Sequence, residues 1–208
     1  TIGNSVTTIG SSAFADCKSL TSVNIPDSVK TIGQGALADC SKLREFTGKY
    51  AADGGRCLII DNTIIAYAEA SGTTYNIPDS VTTIGNSAFR DCDSLTSVNI
   101  PNSVTTIGDR VFYSCDSLTS VNIPDSVTTI EFETFSYCYS LTSVNIGNSV
   151  TTIGEGAFDT CYSLTSVDIP DSVTTIGNFA FSHCSSLTSV DIPESVTTIG
   201  EGAFARCS

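Results

Sequence analysis

The chain has 208 residues, 40% of them hydrophobic, and nine Lys/Arg against 22 Asp/Glu give it a formal net charge of −13. So much apolar content takes it out of the disordered acidic tails. Its length allows a sizeable core in one domain or a small pair, its apolar runs are too short for a transmembrane helix, and a nucleic-acid footprint would need clustered Lys and Arg.

From the N-terminus onward the chain repeats itself. Cys17 and Cys40 stand 23 residues apart, and Cys92, Cys115, Cys138, Cys161, Cys184 and Cys207 keep the same step. Self-similarity at a fixed period marks a stacked repeat architecture. The frame gives a truncated turn at 1–19, a full turn at 20–42, an irregular one at 43–71, five regular turns over 72–186 and a truncated last turn at 187–208. This predicts one solenoid domain over 1–208 with about nine turns, since so short a unit buries its apolar face only against its neighbours. Neither end carries a polar cap, so the exposed core columns predict neighbouring repeats or end-to-end self-association.

Each regular turn predicts three elements, as 95–117 illustrates. Leu95-Thr-Ser-Val98-Asn-Ile100 ends in strand-like alternation, and Pro101, which cannot donate a ladder bond, ends that strand. Val104-Thr-Thr-Ile107 is β-branched throughout and reads as a second strand. Gly108 opens the next corner through its backbone freedom. Val111-Phe112-x-x-Cys115 has the spacing of one helical or 3₁₀ turn. In the irregular turn, Arg56–Ile60 and Thr63–Tyr67 flank Asp61-Asn62 and read as an inserted β-hairpin. The hairpin is expected to project from the solenoid or pad its side.

The string Leu-x-x-Val-x-Ile-Pro-x-Ser-Val-x-x-Ile-Gly-x-x-Ala-Phe-x-x-Cys resembles the BspA-like class of leucine-rich repeats, over all of the chain except 43–71. The resemblance implies a β-rich α/β solenoid: a right-handed superhelix with two short strands and a helical or 3₁₀ turn per repeat. It implies a cell-surface or secreted adhesion module that recognises extracellular proteins or glycans. The alternative is a passive spacer that displays another domain. It brings no catalytic residues, cofactor or metal.

The residues themselves agree with a non-enzyme. Eight of the nine cysteines share one repeat position and Cys57 lies in the hairpin. Stacked equivalent side chains are poor disulfide geometry, and zinc needs convergent ligands. The cysteines therefore read as a column of small buried hydrophobes, with Cys207 the most reactive. No nucleophile elbow, P-loop or dinucleotide motif occurs.

Comparing turns within the chain locates a candidate surface. The core slots barely change, whereas variation gathers just before the Phe and around the Cys. Those variable slots hold Tyr113, Phe132, Tyr137, Tyr139, Tyr162, Phe179 and His183, a strip of aromatic residues confined to 95–186. Exposed aromatics mark interaction sites, and Tyr offers rigid area plus a hydroxyl. The rival surface is the polar row Asn99, Asn122, Asn145, Asp168 and Asp191 on a concave sheet. Charge is uneven as well. Residues 1–56 hold six Lys/Arg and five Asp/Glu, net +1, while 57–208 hold three Arg and seventeen acids, net −14. The acidic part favours basic partners by steering.

Overall fold

The computed structural model describes residues 1–207. Each regular turn begins with a three-residue strand, Thr74–Asn76 in the first and Ser-Val-Asn/Asp in the others, at Ser97–Asn99, Ser120–Asn122, Ser143–Asn145 and Ser166–Asp168. These strands stack in parallel, with each residue paired to its equivalent 23 positions on, such as Val144 with Val167. Their Val residues are buried while Ser and Asn/Asp face solvent. Stacked Thr-Ile strands form the second side, eight of them from Thr8–Ile9 to Thr198–Ile199. The result is a β-solenoid of about eight turns with almost no helix, rather than the nine expected. The frame counted the irregular segment as a turn, but there the Thr-Ile place is filled by a hairpin strand, Thr63–Tyr67, whose Thr63 and Ile64 pair in parallel with Thr83 and Ile84.

The third side also departs from expectation. Around Phe112 the amides alternate in direction. Arg110, Phe112 and Ser114 donate to carbonyls of the following turn, on Phe132, Thr134 and Ser136, while Tyr113 and Cys115 donate back to Arg110 and Phe112. Arg110 and Ser114 have left-handed backbones, φ 53° and 55°, and every turn except the irregular one repeats this pair. A right-handed helical turn cannot run through such residues. Among the described residues the 3₁₀ helices are Asp53–Gly55 and Glu69–Ser71, both in the irregular segment.

Inside, equivalent residues stack in columns, the Phe and Cys columns being the most uniform. Phe89, Phe112, Phe135, Phe158, Phe181 and Phe204 stack with centroids 5.2–5.3 Å apart, each burial contributing about 2–3 kcal/mol. The Phe carbonyls are used twice. Phe112 O accepts the Cys115 amide at 3.2 Å and the Cys138 thiol of the next turn at 3.1 Å. The same thiol bond recurs from Cys115 to Phe89 O, Cys161 to Phe135 O and Cys184 to Phe158 O. The cysteines are thus packed as small core groups and also tie consecutive turns. Gly108 does not use its conformational freedom. Its Cα lies so close to the preceding turn that a Cβ would strike Asn86 Oδ1.

The hairpin forms as the sequence predicts. Cys57–Ile60 pairs antiparallel with Thr63–Tyr67, and Asp61 and Asn62 both take positive φ, as a type I′ turn requires. Its position differs from the expectation. On its C-terminal side Thr63 and Ile64 continue the Thr-Ile ladder by pairing in parallel with Thr83 and Ile84, whereas on its N-terminal side the ladders break, leaving short pairs, Thr8–Ile9 with Thr31–Ile32 and Ser22–Ile25 with Glu45–Gly48. Leu58, Ala66 and Ala68 belong to the N-terminal core, whereas Cys57, Ile64 and Tyr67 belong to the C-terminal one. The hairpin is apolar on both faces, so both are buried: it is set between the two cores and does not project.

Candidate functional site

The side chains that vary between turns sit on the third side, where the backbone turns left-handed. One left-handed column runs Ser12, Gly35, Ser87, Arg110, Glu133, Gly156, Phe179 and Gly202; the other runs Asp16, Asp39, Asp91, Ser114, Tyr137, Thr160, His183 and Arg206. These positions lie outside the core columns, so the packing leaves their chemistry open.

Four of the seven predicted aromatic-strip residues come together. Tyr113 lies 5.2 Å from Tyr137, Tyr137 meets Tyr139 edge-on at 6.1 Å, and Tyr139 stacks on Tyr162 at 5.4 Å with rings 7° from parallel. Tyr139 and Tyr162 are 37% and 46% exposed, while Tyr113 and Tyr137 are half-buried beneath them. The other three residues stand apart. Phe132 lies under the Arg110 guanidinium at 4.8 Å, and Phe179 packs over Gly202 in the next turn. His183 is held by its neighbours: Nε2 accepts from Arg206 at 2.9 Å, and Nδ1 faces Ser182 Oγ at 2.8 Å and Asp159 at 3.4 Å. Nδ1 alone meets both Ser182 and Asp159, so the trio is not arranged as a proton relay.

The ladder continues into a part of the edge that the aromatic count passed over. The position after Cys reads Asp93, Asp116, Tyr139 and Tyr162 in four successive turns. Desolvation raises the Asp93 and Asp116 carboxyls above the usual range, and neighbouring Asp91 adds to both shifts. Asp116 Oδ1 is buried with no hydrogen-bond partner. Desolvation, then Asp116 and Tyr162, pushes the Tyr139 hydroxyl up in turn. The spacing of 23 was the available signal, had each slot been read as a column of any residue type.

Two other acids of this edge, Asp91 and Glu133, each have an arginine. Arg90 pairs with Asp91 at 2.8 Å and covers the Tyr113 ring at 4.9 Å. Arg110 pairs with Glu133 at 2.6 Å while lying over Phe132. Among the described residues, neither Asp93 nor Asp116 has a Lys or Arg within salt-bridge reach, and neither Tyr139 nor Tyr162 carries a cation over its ring.

The polar sheet is exposed but self-satisfied in part. Asn99, Asn122, Asn145, Asp168 and Asp191 all face solvent, with Asn145 donating to Asn122. Beside it, Thr96, Thr119, Thr142 and Thr165 each donate to the carbonyl of the preceding turn's Thr. The thiols offer little nucleophilic chemistry. All nine are free, and burial pushes Cys138 and Cys184 up to about 12. Cys17 and Cys207 are partly exposed. Among the described residues no three His, Cys, Asp or Glu side chains converge on a metal position, and no helix is long and apolar enough to cross a membrane.

Comparison with known proteins places these features. Residues 1–51, 63–167 and 105–208 match the family described as BspA type leucine rich repeat region. No curated protein matches the chain. A leucine rich cell surface protein from Faecalibacterium prausnitzii is 33% identical over 92% of this chain and 52% of its own, with a TM-score of 0.83. A leucine-rich repeat protein from Eubacterium ventriosum, 24% identical over 99% of this chain and 63% of its own, and the pneumococcal vaccine antigen PcpA, 19% identical over 94% and 54%, share the fold, each with a TM-score of 0.74. The chain thus spans less than two-thirds of each of these structures.

Proposed function

Because the chain belongs to the BspA-type leucine-rich repeat family, we propose that it is the partner-binding module of a cell-surface or secreted protein and that its recognition surface is the tyrosine edge. Residues 1–208 act as one solenoid domain, a reading supported by the hairpin, which lends side chains to both cores. The resemblance to a leucine rich cell surface protein supports the location. The repeat architecture supports binding of extracellular proteins or glycans over catalysis.

One observation carries the choice of surface. Tyr139 and Tyr162 hold two large rings stacked on each other and open to solvent, whereas Phe179, the other exposed ring, packs over Gly202. Rigid, amphipathic rings lose little entropy on binding and are enriched at interfaces. The polar sheet is nearly the same in every turn and offers less to distinguish one partner from another.

The test is a binding screen of the chain against extracellular-matrix proteins and a glycan array, run beside Tyr137→Ala/Tyr139→Ala/Tyr162→Ala. Loss of about tenfold or more in affinity, the usual cost of removing interface anchors, is the expected result. Binding that survives the triple substitution moves the site to the row Asn99, Asn122, Asn145, Asp168 and Asp191. Silence of both forms returns the chain to a passive spacer.

A further inference from the structure

Two of the three arginines on the third side, Arg90 and Arg110 but not Arg206, build one three-part unit: a guanidinium pairs with a carboxylate and covers an aromatic ring in the next turn. Arg90, Asp91 and Tyr113 form it once, and Arg110, Glu133 and Phe132 form it again. The next stretch of the edge holds two of the three parts. Asp93 and Asp116 stand without cations, Asp116 keeps a buried oxygen with no donor, and Tyr139 and Tyr162 are exposed and uncovered. Residues 57–208 contain three arginines and no lysine; Arg90 and Arg110 are used in these units, and Arg206 is held by His183.

We propose that the missing part comes from the partner: an extended protein segment bearing arginines that lie against Tyr139 and Tyr162 and pair with Asp93 and Asp116. This rests on the tyrosine edge being the recognition surface and names the class of partner it takes. The four turns from Asp93 to Tyr162 span about 14 Å at ~4.8 Å per step. An extended chain rises ~3.3 Å per residue, so two arginines roughly four residues apart match that reach. Arginine fits better than lysine, because its planar fork meets a carboxylate side-on while its face stacks on a ring. The surplus of fourteen negative charges over residues 57–208 steers such a segment in.

The experiment uses fluorescein-labelled Gly/Ser peptides carrying two arginines four residues apart, with lysine and citrulline versions, read by fluorescence anisotropy against the whole chain. The arginine peptide is expected to bind tightest and the neutral citrulline peptide weakest. Asp93→Asn/Asp116→Asn should weaken the arginine peptide by about tenfold. Tyr139→Ala/Tyr162→Ala should weaken it by roughly fivefold and take away its advantage over lysine. Asp171→Asn/Glu194→Asn, which removes two exposed charges far along the turn, should leave it unchanged. Equal losses in all three variants would mean charge attraction without a site and would overturn the proposal, as would equal binding of arginine and citrulline peptides. If the screen finds a protein or glycan whose binding needs the tyrosines but is not displaced by the arginine peptide, the edge stands as the recognition surface and the arginine assignment fails.

Discussion

Glu69 shows how a single side chain responds to the seam between the two cores. It is only 7% exposed, and burial, reinforced by Asp93, Asp39 and Asp91, pushes its carboxyl up to about 7 from an ordinary value near 4.5. A carboxyl raised in the folded state holds its proton more tightly there than in the unfolded chain. The associated stability is fully present below about pH 4.5 and drains away as pH rises towards 7. Glu69→Gln, which keeps an acceptor without the charge, should therefore be more stable than the parent at about pH 8, by the order of 1–3 kcal/mol, and match it at about pH 4. An equal gap at both values would rule out this titration. The sequence did not point to Glu69, since it lies in the irregular turn, outside every repeat column. The left-handed slots were also missed, although they left a trace: Gly35, Gly156 and Gly202 share one, and Asp16, Asp39 and Asp91 the other. Gly and Asp are residues that tolerate positive φ. The i, i+3 spacing of Phe112 and Cys115 suits a helical turn and a chain of tight turns alike, so spacing alone could not separate them.

Among the elements, the hairpin governs how the two cores support each other. Leu58 is fully buried in the N-terminal core, whose ladders hold only two strands each, against five in the Ser-Val-Asn sheet beyond it. Leu58→Ala should cost about 2–5 kcal/mol and should show first in the weaker part. Amide exchange is expected to quicken over residues 8–46 while Ser97–Asp168 keeps its protection. Uniform loss of protection along the chain would contradict a seam at the hairpin. The strands and their register were legible in the sequence because Pro101, the β-branched runs and the step of 23 all agree. The hairpin and its Asp-Asn turn were legible too. Its placement was not, because an apolar strand pair is compatible with a flap packed on the outside or a plate buried on both faces. Only contact with Leu43 and Phe46 on one side and with Tyr75 and Phe89 on the other decides between them.

At the scale of the whole molecule, charge opposes the packing. The C-terminal three-quarters carries a net −14 against +1 for the rest, so its stacked turns repel one another through solvent. Added salt should therefore raise the melting temperature, most steeply below physiological ionic strength where the Debye length exceeds about 10 Å. A fall on adding salt would mean that the few ion pairs, such as Arg110 with Glu133, outweigh the repulsion. The stacking of turns was readable from 23-residue periodicity, and so was the neighbourhood of Tyr113, Tyr137, Tyr139 and Tyr162, though not the separation of Phe132, Phe179 and His183 from them. The acids that prolong the strip were not, because Asp93 and Asp116 share the repeat slot of Tyr139 and Tyr162 but not their chemistry.

The identity of the core columns from turn to turn has an evolutionary consequence. A duplicated or deleted block of 23 residues would meet the same Phe, Cys and Val neighbours as before. Unequal recombination would then change the length of the chain without disturbing its interior. Each such event would slide one stretch of edge past another by a single fixed increment, inserting or removing one letter in the sequence of acids and rings. The coil would thus serve as a vernier, on which new spacings between the same chemical groups arise by copying alone.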